Sequence, residues 1–254
     1  MSFEDVKYEV CIANRILAEV GLATGVHASL GHSSMRVPQD PDRFIVKGRG
    51  YEIDALAAMR PEQMIVCDLE GNKIEGPPNS TQCFEVKMHS SIYKMYPNII
   101  SVTHVHPQFS VVMSVLQARL MPMCQVGSDL VSNPIPVYPH MKTILTDEEG
   151  MEVAALLDGG PAILLEGHGA TTTGSSLEQS VMNMLWLEEQ ARMNWYAYCA
   201  AGPNHRSIPP ENVTEMSSRP PLAEIPHFVE PMREHTPKVG GVWTYYSQVV
   251  EKGL

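Results

Sequence analysis

The stretch that decides the reading is Ile99-Ile100-Ser101-Val102-Thr103-His104-Val105-His106. It is apolar and β-prone at its start, which predicts a buried strand. It ends in two histidines at i and i+2, and side chains so spaced on a strand share one face. Two imidazoles on one face can share a divalent metal, with zinc–nitrogen bonds of ~2.0–2.1 Å. Two surface histidines give the same pattern, so the pair needs a second observation. Glu166-Gly167-His168-Gly169 supplies it, following the apolar run from Ala162 to Leu165. A strand again ends at a histidine, here between glycines that let the backbone bend sharply and something approach closely. Three histidine ligands with one open position is the layout of a catalytic metal site.

Such a metal needs a proton carrier. Glu85 stands in Cys83-Phe84-Glu85-Val86-Lys87-Met88-His89, on a predicted helix before the His104 strand. Burial would keep this carboxyl protonated and suit it to acid–base work. The plainer alternative is an exposed helix carboxylate paired with Lys87 or His89.

Outward from these motifs, residues 4–20 carry apolar positions at helical spacing, and Gly21 is a stop. Short strands are expected over 33–37, 43–47, 64–67 and 134–138. Helices are expected over 81–96, from Pro107 to 117, from Asp147 (as the cap) to 157, and over 175–201. The elements alternate without a regular βαβ beat, which predicts an α/β sandwich on a mixed sheet. Residues 202–241 are proline-rich and read as an extended arm, closed by a short element near 243–251. The chain thus divides into a catalytic domain, 1–201, and an arm, 202–254, packing on its own domain or a neighbouring subunit.

The 254 residues are 44% hydrophobic and 19% charged, an ordinary globular composition. With 18 basic against 29 acidic residues the net charge is -11, which argues against nucleic acid as a partner. No apolar run approaches the ~20 residues that span a bilayer, so no membrane partner is expected. The opening MSFEDVKYEV does not read as a secretory signal. Five cysteines without a CxxC suggest reduced thiols and a cytoplasmic setting.

Taken in order, Glu85, His104-x-His106 and Gly167-His168-Gly169 resemble the class II aldolase/adducin family. The resemblance covers about residues 5–200. It includes Gly31-His32-Ser33-Ser34-Met35-Arg36, the helix end Ile92-Tyr93-Lys94-Met95-Tyr96-Pro97, and Gly167-His168-Gly169-Ala170 before Leu177-Glu178. It implies a three-layer α/β/α fold around a central mixed or antiparallel sheet. It further implies a homo-oligomer, usually a tetramer, with the active site near a subunit interface and a small-molecule substrate. His104, His106 and His168 would hold one divalent ion per subunit, Zn2+ or Mn2+ with Fe2+ or Co2+ possible, and Glu85 would be the acid/base.

The departures bear on the substrate. Sugar-phosphate members bind phosphate through a Gly-Asn turn, a Thr/Ser-Gly turn and a Ser-Ser pair before the Glu. Here those places hold His32, Lys47-Gly48-Arg49-Gly50 and Cys83-Phe84. The small hydroxyls are gone and an aromatic has arrived. His32 together with His89 resembles the branch that decarboxylates dihydroxyphthalates and hydroxypyridine dicarboxylates. Lys47, Arg49 and His32 are candidates for holding a carboxylate, since Arg binds carboxylates in bidentate fashion. Phe84, His89 and His140 complete the candidate substrate-binding set. The implied activity is a metal-dependent carbon–carbon lyase, decarboxylating a hydroxylated aromatic (di)carboxylate. The alternative is retro-aldol cleavage of a hydroxy-carbonyl or sugar phosphate. Adducin-type relatives lose the metal histidines, and their retention here speaks against a non-enzymatic role; iron-dependent oxygenation ranks below both lyase readings. His227, Trp243, Tyr245 and Tyr246 of the arm are candidates for closing a neighbour's site.

Overall fold

A computed structural model of the chain describes residues 1–221, 224–233 and 241–254. Helix α1 (Phe3–Glu19) opens with a capping box in which Ser2 and Asp5 satisfy each other's backbone N–H groups. Its apolar stripe, Val6, Val10, Ile16 and Leu17, is fully buried. The strands are β1 (His32–Val37), β2 (Asp40–Arg49), β3 (Met64–Asp68), β4 (Lys73–Glu75), β5 (Thr81–Gln82), β6 (Ser101–Val105), β7 (Val137–Tyr138), β8 (Ala162–Leu165) and β9 (Gly169–Gly174). The remaining described helices are α2 (Val86–Met95), α3 (Gln108–Val115), α4 (Asp147–Leu157), α5 (Leu177–Ala201), α6 (Pro210–Ser217), α7 (Pro226–Arg233) and α8 (Val242–Glu251).

Eight strands form one sheet in the order β4-β3-β2-β1-β6-β9-β8-β7, and β5 adds to β2. The pairings are antiparallel except β7 with β8. The sheet is therefore mixed, as expected. Alternation along each strand feeds two cores. Ile45, Val66 and Leu164 pack with α1 and α5 on one face, while Phe44, Val46, Ile65 and Ile163 pack with α2 and α4 on the other. The result is the expected three-layer α/β/α sandwich.

The helix expected from residue 81 starts five residues later. Thr81 and Gln82 pair with Arg49 and Gly48, so their backbone groups are spent on a strand. Glu85 consequently stands at the N-cap of α2. Thr146, not Asp147, caps α4: its hydroxyl accepts from the Glu149 N–H. Strand β9 is missing from the sequence reading because Gly169-Ala170-Thr171-Thr172-Thr173-Gly174 lacks apolar alternation. It is nonetheless buried throughout, with Thr172 donating to the Ser180 carbonyl and Thr173 to that of Gly160. The arm read at 202–241 carries helices, and its residues 222–223 and 234–240 lie outside the described residues. Helix α8 docks on α1, where Trp243 and Val250 enter the core and Arg15 Nε donates to the Val250 carbonyl at 3.2 Å.

Candidate metal centre

The register builds the site. His32 of β1 pairs with His104 of β6, and His104 pairs with Thr171 of β9. Three adjacent strands thus set His32, His104 and Thr171 in one row. His106 lies just past the end of β6, and His168 in the turn between β8 and β9. Gly169 makes that turn possible, because a Cβ there would stand 2.5 Å from the Val105 carbonyl oxygen and 3.0 Å from the His104 ring. Gly31, at a φ of +105°, has the same role before β1, with the His104 carbonyl 2.9 Å from where a Cβ would sit.

Glu85 enters from the N-cap of α2. Candidate ligand atoms of Glu85, His104, His106 and His168 all lie within 4.8 Å of one another. Glu85 Oε2 is 3.1 Å from His104 Nε2, and Oε1 is 3.5 Å from His168 Nε2. The three histidine rings stand edge to face, with centroids 4.7–5.1 Å apart.

The polar atoms of this cluster fit a cation. His104 Nε2, which faces the cluster, is buried and makes no hydrogen bond. An orphaned buried polar atom is costly and calls for a partner. His104 Nδ1 lies 3.0 Å from the Thr171 hydroxyl, which itself donates to Met88 Sδ. With a cation on Nε2, that hydroxyl accepts from Nδ1–H and passes its own proton to sulfur, so the pair supports a bare Nε2 once the ion is bound. That is the tautomer a metal ligand needs. Burial, then the neighbouring imidazoles, pulls His106 and His168 below the ordinary histidine range, so both are neutral at pH 7.

Burial alone would raise the Glu85 carboxyl. His104 and His32 outweigh it and hold the group well below the usual carboxylate range. Glu85 Oε1 also accepts from the Ile144 N–H at 3.2 Å. The protonated acid expected from the sequence is therefore a carboxylate, because burial is only one of the forces on it.

The other candidates separate. His32 is buried, its Nε2 3.7 Å from Glu85 Oε2, and burial pulls its pKa down to about 4. Lys47 is fully buried rather than a solvated loop cation. Its ammonium donates to the Asp54 carbonyl at 2.7 Å and the Ser29 carbonyl at 3.4 Å, and burial lowers its pKa to about 8. Arg49 also donates to the Ser29 carbonyl, and its guanidinium sits 4.2 Å over the Phe84 ring. Phe84 is 59% exposed, so it faces solvent rather than walling a closed pocket. His89 has no exposed surface and lies behind His32. His140 is exposed, its ring against Tyr138.

A cavity of about 1390 Å³ opens on the centre, lined by His106, His168, His27, Trp186, Arg192 and Tyr246. Tyr246 lines this cavity within its own chain, whereas Trp243 packs in the core. His27, whose ring is 5.5 Å from His106, had no sequence signal beyond its identity.

Residues 8–195 match the Class II Aldolase and Adducin N-terminal domain. The chain belongs to this family. It is 30% identical to a 3,4-dihydroxyphthalate decarboxylase of Rhodococcus jostii, over 78% of this chain and 83% of that protein. Among solved structures it is similar to an aldolase II superfamily protein from Pseudomonas syringae, with a TM-score of 0.79, 19% identity and coverage of 98% of this chain and 93% of that one. L-fuculose 1-phosphate aldolase from Glaciozyma antarctica follows, with a TM-score of 0.75, 22% identity and coverage of 98% and 89%. The expected family, fold and lyase class stand. Among the described residues no helix is long and apolar enough to cross a membrane.

Proposed function

We propose that this lyase decarboxylates a hydroxylated aromatic dicarboxylate, with a divalent ion, Zn2+ or Mn2+, held by His104, His106 and His168. The observation that carries the reading is the cationic strand end beside the metal cluster. Lys47 acts electrostatically on His32, which faces Glu85, and Arg49 covers the ring next to Glu85 in sequence. Positive charge at this strand end suits an anionic substrate, and Phe84 and His32, standing where the sugar-phosphate members carry small polar residues, favour an aromatic acid over a sugar phosphate. The decarboxylase relative supports the same class.

The bound ion supplies Lewis-acid charge that stabilises negative oxygen on the substrate. The chain's residues do the rest. Arg49 holds the carboxylate that stays, and the buried Lys47, which donates to the same Ser29 carbonyl, adds its charge from behind. Glu85, ionised at rest, takes the proton of the ring hydroxyl beside the departing carboxylate. It returns that proton to the ring carbon. The carbon–carboxylate bond then breaks, carbon dioxide leaves, and the bonding pair restores the aromatic ring. The product phenolate regains its proton from water. The apolar rim of the mouth, with Val26 89% and Met141 77% exposed, supports a homotetramer that covers the site at a subunit interface. Five free thiols support a cytoplasmic setting.

The test is mass spectrometry of metal-loaded protein with ortho-hydroxylated phthalates and pyridine dicarboxylates, beside fuculose and ribulose phosphates. We expect a product lighter by carbon dioxide. Its rate should fall about 10²–10⁴-fold in Glu85→Gln, the usual worth of a positioned acid–base group. An aldehyde released from a sugar phosphate, with the aromatic acids untouched, would overturn the assignment in favour of retro-aldol cleavage.

A further inference from the structure

Two periodicities cross behind the metal centre. Glu85, His89 and Tyr93 recur every four residues and form one stripe of α2. His32 and Ser34 alternate on β1 and so share the face that meets this stripe. A continuous chain of contacts results. Tyr93 Oη lies 2.7 Å from Ser34 Oγ, which lies 2.6 Å from His89 Nδ1. His89 Nε2 lies 2.7 Å from His32 Nδ1, and His32 Nε2 faces Glu85 Oε2 at 3.7 Å. Every member is buried, His89 completely.

Each hydrogen in this chain can run in one of two directions, and the two ends choose. At one end stands a carboxylate, which only accepts; a bare His32 Nε2 facing it would set lone pair against lone pair. At the other end Tyr93 has a 2.7 Å acceptor in Ser34 against a 3.5 Å one in the Ile100 carbonyl. Both ends favour the same direction. Tyr93 donates to Ser34, Ser34 to His89 Nδ1, and His89 Nε2–H to His32 Nδ1. His32 is left with its proton on Nε2.

We propose that His89, held by Ser34 and Tyr93, is a positioning residue that fixes His32 as its Nε2–H tautomer and aims that N–H into the metal centre. His89 does not touch the substrate; it acts through His32. The chain ends inside the protein, because Tyr93 packs on Phe44 and its carbonyl accepts from Arg36. A buried dead end holds an orientation and does not conduct protons to solvent. The inference rests on the proposed function only for what the N–H meets, a substrate oxygen beside Glu85.

Nitrogen-15 spectra of histidine-labelled, zinc-loaded, full-length protein test it without substrate. In the wild type, His32 should carry its proton on Nε2. In Ser34→Ala and His89→Leu that preference should be lost, and kcat should fall about 10–100-fold at unchanged zinc content, the usual worth of an outer-shell partner. His89→Gln, whose amide N–H replaces Nε2–H, should recover most of both. A wild-type His32 protonated on Nδ1 overturns the proposal, and so does a tautomer unmoved in both variants. If the variants do not fold, the wild-type spectrum alone decides. A wrong substrate class would leave the tautomer untouched, so failure of the substrate reading and failure of this inference are distinct results.

Discussion

The two sides of Glu85 differ in how their polar atoms are satisfied. On the β1 side, His32, His89, Ser34 and Tyr93 meet at 2.6–2.7 Å in an unbroken chain. On the side of the β6 end, His104 Nε2 faces the cluster buried and bare. The same residue type, equally withheld from water, is fully bonded in one place and left open in the other. Buried polar groups are normally paired, so the open side marks where something else completes the bonding. The closed side holds its geometry without help. A fold that spent all its histidines on internal bonds would be more stable and would bind nothing.

Removing the bare nitrogen should have the largest effect. His104→Ala should abolish stoichiometric zinc or manganese by elemental analysis and with it all metal-dependent turnover. It should also erase the rise in Tm that metal gives the wild type. That rise corresponds to about 2.7 kcal/mol when free metal stands at 100 times Kd. Metal retained at one per chain would break the comparison, since the open side would then not be the binding side.

Lys47 probes the cost carried near the closed side. Its folded pKa is about 8, against 10.5 unperturbed, because burial disfavours the ammonium. Between those values the unfolded chain keeps a proton that the folded chain has released. Stability from this group therefore rises with pH across about 8–10.5, by up to about 3 kcal/mol. Below pH 8 the fold carries the whole cost. Urea midpoints of the wild type and Lys47→Met should diverge least at the top of that window and most below it. Parallel curves would show that Lys47 is not desolvated in the folded protein.

How far this was legible in the sequence follows the range of the physics involved. That His104, His106 and His168 come together could be read because alternation and flanking glycine are local rules. The α/β sandwich could be read because apolar runs and caps repeat along the chain. The charge state of Glu85 could not, since it depends on imidazoles brought by other strands. The chain from Ser34 to Tyr93 was equally hidden: its members obey two periods, two and four, on segments more than fifty residues apart. Strand β9 escaped because its threonines look solvent-facing, and only Ser180 and Gly160 reveal that they are bonded inside. Phe84 and His140 were read from their places along the chain, which do not fix side-chain direction, and both are exposed.

Thr171 is the place where the contrast can be sharpened, because it is the one described side chain that hydrogen-bonds a bare-sided ligand from behind. Its hydroxyl takes the His104 Nδ1 proton and passes its own to Met88 Sδ. Thr171→Val keeps the shape and removes the acceptor. His104 can then carry its proton on either nitrogen, and part of the population presents N–H where the cation needs a lone pair. Metal affinity should fall about 10-fold, the low end of what outer-shell partners contribute. Titration with a competing chelator measures this directly. The metal-free protein should lose only about 1 kcal/mol, the worth of one hydrogen bond. An affinity unchanged within two-fold would mean that the position of His104 on β6, and not its hydrogen bond to β9, selects the ligating nitrogen.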